Sequence, residues 1–144
     1  MNTIIEKALK FLKLELNKAQ IEITPKESGR EAVDFLTKTN SGNLHEVYLQ
    51  PINLDTERKV KIPKQKLGEP KDNLWVALVL IIDNEPINFY LIPSKIVTTP
   101  DNYIFLENDV SGFPKLSNWE VKVFKNGMQK LSEFSLENML DKLK

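Results

Sequence analysis

Apolar residues recur at intervals of three and four positions at both ends of the chain. Near the start, this series comprises Ile4, Ile5, Ala8, Leu9, Leu12, Leu16 and Ala19. Near the end, it comprises Phe134, Leu136, Met139, Leu140 and Leu143. Because an α-helix has 3.6 residues per turn, each series falls on one face of a helix. The pattern predicts a helix over residues 3–19 and a closing helix over residues 132–143.

Between these helices the pattern changes to short apolar or alternating runs separated by turn-forming residues. The runs predict strands over residues 21–24, 32–37, 44–49, 54–62, 74–82, 87–92 and 119–124. The run Leu74–Ile82 is continuously apolar, which is typical of a strand covered on both faces. Pro51 is expected to end the strand before it, because proline lacks a backbone donor. Ser94 is expected to cap a short helical turn, and residues 98–118 are expected to be irregular.

The order of these elements predicts a fold class. One helix precedes several strands that are mostly joined as hairpins, and a second helix closes the chain. We expect a single α/β domain over residues 1–144, with a mixed central sheet that contains antiparallel hairpins and is flanked by the N- and C-terminal helices.

Composition removes several kinds of site. The chain has no cysteine, so disulfides, thiolate metal sites and thiol nucleophiles are excluded, as is typical of a reducing compartment. His45 is the only histidine, so a multi-histidine metal site is excluded as well, and we expect this side chain at the surface. No signal peptide or membrane-spanning stretch is apparent, which favours a soluble, cytoplasmic protein.

Charge is balanced over the whole chain but not along it. Twenty basic and twenty acidic residues cancel, which argues against strong non-specific binding to nucleic acid. Residues 58–71 nevertheless contain six basic residues and one acidic residue. The candidate phosphate contacts in this segment are Arg58, Lys59, Lys61, Lys64 and Lys66. The alternative is an exposed edge strand whose lysines prevent pairing with another chain. No aromatic residue is interleaved with them, so base stacking is not indicated.

A predicted hairpin carries the candidate chemistry. The turn at residues 40–43 joins two strands, with Asp34 on the first and Glu46, Tyr48 and Gln50 on the second. Because strand side chains alternate, the last three share one face.

Four stretches, taken together, resemble a known superfamily. They read Ala-Val-Asp-Phe-Leu at 32–36, Glu-Val-Tyr-Leu-Gln at 46–50, the apolar run at 74–82, and Asn-Phe-Tyr-Leu-Ile-Pro-Ser at 88–94. Their order and spacing resemble the core of the PD-(D/E)XK nuclease superfamily, in particular its small uncharacterised bacterial members. The resemblance implies a restriction-endonuclease-like core.

The resemblance also implies what catalysis would require. In that family two acidic residues hold Mg²⁺, and a lysine two positions after the second acid positions the attacking water. Asp34 matches the first acid, but the second acid falls on Tyr48 and the lysine falls on Gln50. If Glu46 is taken as the second acid, Tyr48 falls at the lysine position. The resemblance therefore implies a degenerate catalytic site at Asp34, Glu46 and Gln50.

Three functions follow as hypotheses. The favoured one is a macromolecule-binding protein, for nucleic acid or protein, that has no enzymatic activity and needs no cofactor. The first alternative is an active nuclease in which Asp34 and Glu46 bind Mg²⁺ and Lys59 or Lys61 replaces the missing lysine. The second is a protein-interaction or immunity-type module unrelated to nucleic acid. A membrane partner is not expected, and a homodimer is left open.

Overall fold

A computed structural model describes residues 3–26, 34–39 and 41–143. These residues form a single α/β domain with one mixed five-stranded sheet, a smaller second sheet and helices at both ends. The helices are α1 (Thr3–Lys18), α2 (Lys64–Leu67), α3 (Ser94–Val97), α4 (Met128–Leu131) and α5 (Leu136–Leu143). The strands are β1 (Glu22–Pro25), β2 (Asp34–Lys38), β3 (Leu44–Asn53), β4 (Lys59–Pro63), β5 (Leu74–Ile82), β6 (Glu85–Pro93), β7 (Phe105–Asn108) and β8 (Asn118–Lys122). Short 3-10 turns lie at 114–116, 125–127 and 132–134.

The five-stranded sheet has the order β1-β2-β3-β5-β6. Strands β1, β2 and β3 form an antiparallel meander, and β5 and β6 form an antiparallel hairpin. Between these two units, β3 and β5 pair in parallel. The mixed sheet with antiparallel hairpins is therefore confirmed.

Burial places β5 at the centre of the core. All of β5 except its last residue, Ile82, is buried, as its unbroken apolar sequence predicts. Helix α1 packs across the five-stranded sheet and contacts β1, β3, β5 and β6 through the apolar face that its sequence predicts. Helix α3, which directly follows β6, and helix α5, at the end of the described chain, both pack against β6. In the described part of the chain, no helix is long and apolar enough to cross a membrane.

The prediction that Pro51 ends a strand is wrong, because β3 continues to Asn53. The N–H groups of Glu46 and Leu54 point toward β5, so those of the even-numbered residues between them do the same. The missing N–H of Pro51 therefore lies on the β2 side, and the described pairing with β2 extends only to Tyr48. The proline therefore costs β3 none of its described ladder hydrogen bonds with β5.

The second sheet departs most from the sequence prediction. Its order is β4-β8-β7, and all its pairs are antiparallel. Strand β4 begins at Lys59, not at residue 54, and β7 lies within residues 98–118, which were expected to be irregular. Ser94 does not cap α3, because its hydroxyl exchanges hydrogen bonds with the backbone of Lys71 at 2.9 and 3.0 Å. The closing helix is divided by Ser135, which is extended and ends the 3-10 turn at 132–134.

Candidate functional site

The hairpin of β2 and β3 brings the predicted acidic residues onto one face of the sheet. Asp34 lies directly opposite Tyr48, and Leu36 lies opposite Glu46. Asp34 and Glu46 are therefore diagonal neighbours, a position from which long side chains can interact. They line one cavity of about 430 Å³, which we call the acid–lysine cavity. Its described lining residues include Lys26, Asp34, Glu46, Tyr48, Lys66 and Lys71.

Glu46 is held by two lysines that sequence analysis did not select. Its Oε1 accepts a hydrogen bond from Lys26 Nζ, and its Oε2 accepts one from Lys71 Nζ at 2.6 Å. The hydrogen bonds from Lys26 and Lys71 lower the pKa of Glu46 and outweigh burial, which acts in the opposite direction. Glu46 is therefore an ionised, doubly paired carboxylate.

The side chain of Gln50, on which the family's lysine position falls, is hydrogen-bonded to the backbone of its own strand, β3. Its amide Nε2 donates a hydrogen bond to the carbonyl oxygen of Pro51 at 2.9 Å. Tyr48, two residues earlier on the same face, is buried. Neither group supplies a positive charge or a carboxylate.

The residues that the structure describes around Glu46 do not fit an Mg²⁺ ion. Magnesium prefers an octahedral shell of oxygen ligands, usually with one or two carboxylates. Both oxygens of Glu46 already accept hydrogen bonds from ammonium groups, which a cation would have to displace. Among the residues that the structure describes, no group of three or more His, Cys, Asp or Glu side chains is placed to hold a metal.

Most of the basic segment surrounds a second cavity. A cleft of about 940 Å³ lies between β3, the first turn of α1 and the edge strand β4. Arg58, Lys59, Lys61 and Lys66 line this basic cleft, as do Tyr48 and Gln50. Of its described lining residues, Glu57 alone is acidic. The cleft joins the acid–lysine cavity, because Tyr48 and Lys66 line both.

Lys64 is the one candidate phosphate contact that points elsewhere. Its Nζ pairs with Glu107 and lies 3.7 Å from Asp109 Oδ1. It also lies 4.5 Å from the centre of the Trp119 ring, a cation–π contact. Two carboxylates and an aromatic ring therefore occupy this ammonium group, and Lys64 is not among the residues that line the basic cleft.

The outer face of the second sheet adds a lysine that sequence reasoning did not select. Lys59 on β4 lies directly opposite Lys122 on β8, and Lys61 lies opposite Glu120. Glu120 is buried, accepts a hydrogen bond from Asn108 at 3.1 Å and lies 3.9 Å from Lys59 Nζ. Lys122 comes from a distant part of the sequence, so only the pairing of β4 with β8 reveals its position.

His45 is buried, contrary to the prediction of a surface residue. Its Nδ1 accepts the indole N–H of Trp75 at 2.9 Å, as expected of a buried tryptophan that needs an acceptor. The other ring nitrogen, Nε2, therefore carries the proton and donates to the carbonyl oxygen of Leu143 at 3.2 Å. His45 joins β3, β5 and α5 and lies on the face of β3 opposite Glu46.

Comparisons with known proteins identify no relative. No protein-family model, curated protein or solved structure matches this chain.

Proposed function

We propose that this protein is a catalytically degenerate nuclease-fold protein that binds nucleic acid in the basic cleft without cutting it. The order of elements supports the proposed restriction-endonuclease-like core. An N-terminal helix precedes a strand with Asp34, an adjacent antiparallel strand with residues 46–50, and an apolar strand parallel to it. This is the order on which the sequence resemblance rests.

The observation that carries the proposal is that the face of β3 with Tyr48 and Gln50 and the basic side chains line the same cleft. The β3 face that would hold the catalytic groups borders the same space as Arg58, Lys59, Lys61 and Lys66. Lys59 and Lys61 are exposed along the edge strand, and the side chain of Lys59 stays 56% exposed although its Nζ lies 3.9 Å from Glu120. Such a local excess of cations attracts phosphates even when the net charge of the whole chain is zero.

The chemistry of the acid–lysine cavity favours binding over cutting. A metal-dependent nuclease needs free carboxylate oxygens to hold the cation. Here Glu46 is paired twice, and the amide of Gln50 is engaged by Pro51. Lys61 and Lys59 do border Tyr48 and Gln50, so the alternative of a relocated lysine has a defined test.

A charge-reversal experiment tests the binding site. We expect the double variant Lys59→Glu and Lys61→Glu to weaken binding of a fluorescein-labelled oligonucleotide by roughly tenfold or more at 50 mM NaCl, because two phosphate contacts become repulsive. The measurement is fluorescence anisotropy with single strands and duplexes of DNA and RNA. The charge-matched control is Lys10→Glu with Lys142→Glu, two exposed positions outside the cleft.

The outcomes separate the three hypotheses. Absence of binding by the wild type at low salt would remove nucleic acid as the partner and favour the protein-interaction module. Equal losses in both double variants would show binding outside the cleft. Cleavage with Mg²⁺ or Mn²⁺ that disappears in Asp34→Ala would establish the active nuclease instead; we expect none.

A further inference from the structure

We propose that Tyr103, held in place by Phe124, is the platform on which an unpaired nucleobase stacks, so that the protein prefers single-stranded nucleic acid. This inference rests on the proposed function and specifies its substrate class. A third cavity, of about 510 Å³, is lined by Arg58, Lys59, Tyr103, Lys122 and Phe124. We call it the aromatic pocket. It continues the basic cleft, because Arg58 and Lys59 line both.

The two rings are held in a fixed arrangement. Their centroids are 5.1 Å apart and their planes meet at 88°, an edge-to-face contact. The hydroxyl of Tyr103 donates a hydrogen bond to the carbonyl oxygen of Asn126 at 2.9 Å, which fixes the other end of that ring. Tyr103 is nevertheless 44% exposed. An exposed ring with a fixed orientation suits stacking, because little side-chain freedom is left to lose when a base binds.

The backbone that carries Tyr103 is also fixed. Asp101 Oδ1 accepts the N–H groups of Tyr103, Ile104 and Phe105 at 2.9, 3.0 and 2.9 Å. Asp101 Oδ2 accepts a hydrogen bond from Lys130 on α4. The carboxylate therefore joins the turn before β7 to a helix, which keeps the tyrosine in place beside the second sheet.

The rim of the aromatic pocket is suited to a phosphate. Lys59 and Lys122 lie directly opposite each other on paired strands, so two like charges share one face of the sheet, and the single carboxylate of Glu120 on that face offsets them only in part. Glu120 lies 3.9 Å from Lys59, and no carboxylate is among the described residues that line the pocket. The Nη1 atom of Arg58 donates to the carbonyl oxygens of Leu54 and Glu57, which holds this cation at the junction with the basic cleft.

The aromatic pocket combines aromatic side chains with surrounding cations. This combination matches the base and the phosphate of one nucleotide in a single strand. The base has a flat face for the exposed tyrosine, and its phosphate meets Lys59 and Lys122. A duplex keeps its bases stacked on one another, so its phosphates reach the cations but its bases cannot reach the rings. The structure therefore supplies the aromatic groups that the basic segment itself lacks.

The test compares Tyr103→Leu with the wild type on a single strand and on a duplex of the same length. Leucine keeps apolar contact with Phe124 but cannot stack. We expect a roughly five- to fiftyfold loss of affinity for the single strand and less than about a twofold change for the duplex. Tyr103→Phe should retain most of the single-strand affinity. The matched control is Phe113→Leu, which removes another exposed aromatic ring outside the pocket.

A direct reading of stacking completes the test. A single strand with 2-aminopurine should lose fluorescence on binding the wild type and Tyr103→Phe, but not Tyr103→Leu at saturation. If the wild type and Tyr103→Leu bind the single strand equally well, stacking on Tyr103 is contradicted, whereas the proposal of binding in the basic cleft is not. A loss of equal size for single strand and duplex also contradicts stacking on Tyr103. If the wild type binds no nucleic acid, this inference falls together with the proposed function.

Discussion

Single side chains in this protein take their roles from partners that are distant in sequence. Asp101 combines one such distant partner, Lys130, with three N–H groups from residues 103–105. Burial alone would raise the pKa of its carboxyl group, but hydrogen bonds from Lys130 and from the N–H groups of Tyr103, Phe105 and Ile104 outweigh burial and lower the pKa to about 2. The ionised form is therefore the one that stabilises the folded chain.

The lowered pKa of Asp101 predicts how stability depends on pH. Its carboxyl titrates near 3.8 in the absence of these contacts and at about 2 in the folded protein, which corresponds to about 2 kcal/mol of stability. Since the unfolded state binds the proton more tightly, this contribution is present above about pH 4 and is lost as pH falls toward 2. Asp101→Asn should therefore be destabilised at pH 7, and its difference from the wild type should shrink in acid.

Urea unfolding followed by tryptophan fluorescence at several pH values checks this expectation. Asp72→Asn is the control, because Asp72 forms an exposed ion pair with Lys95 at 2.6 Å that contributes little. A difference between Asp101→Asn and the wild type that stays constant from pH 7 to pH 2.5 would contradict the assignment.

The residue-scale predictions from sequence succeeded where a local pattern decides and failed where a distant partner decides. The predicted hairpin forms, with Asp34 on one strand and Glu46 on the other, because a short turn links the two strands. Their ion pairing was not predictable, because Lys26 and Lys71 reach Glu46 from outside that hairpin. His45 was expected at the surface because the adjacent sequence does not indicate that Trp75 and the end of α5 are its hydrogen-bond partners.

At the scale of elements, His45 connects the central sheet to the closing helix. We expect His45→Ala to lower the free energy of unfolding by about 2–4 kcal/mol, because it leaves the Trp75 indole N–H buried without its acceptor and removes the hydrogen bond to Leu143. His45→Gln, which can both accept and donate, should be destabilised less. Denaturant unfolding measures both variants, and equal stability of His45→Ala and the wild type would contradict this role.

Elements that local periodicity defines were predicted well, and those that depend on pairing were not. Helix α1 and strand β5 lie within one residue of their predicted bounds, because their apolar patterns are long and regular. The separate second sheet was missed, since β4 pairs with β8 from the far end of the chain and β7 is only four residues long. The aromatic pocket was missed for the same reason.

For the whole molecule, the location of charge matters more than its sum. The chain has equal numbers of acidic and basic residues, so its net charge is zero. One cleft is nevertheless lined by four cations, Arg58, Lys59, Lys61 and Lys66. We expect each of these four cations to neutralise one phosphate. A plot of the logarithm of the association constant against the logarithm of the salt concentration should then have a slope of about −3 for a single strand. Anisotropy titrations between 50 and 200 mM NaCl measure it. A slope near zero would contradict an electrostatic interface.

The proline at position 51 restricts the kind of partner that can bind in the cleft. A peptide strand that paired with β3 at this position would need both a backbone donor and a backbone acceptor from it. Proline has no hydrogen to donate, and the carbonyl oxygen of Pro51 is already bonded to the side chain of Gln50. Backbone recognition of an extended polypeptide is thereby obstructed at the floor of the cleft, whereas a polymer read through its phosphates and rings needs neither group.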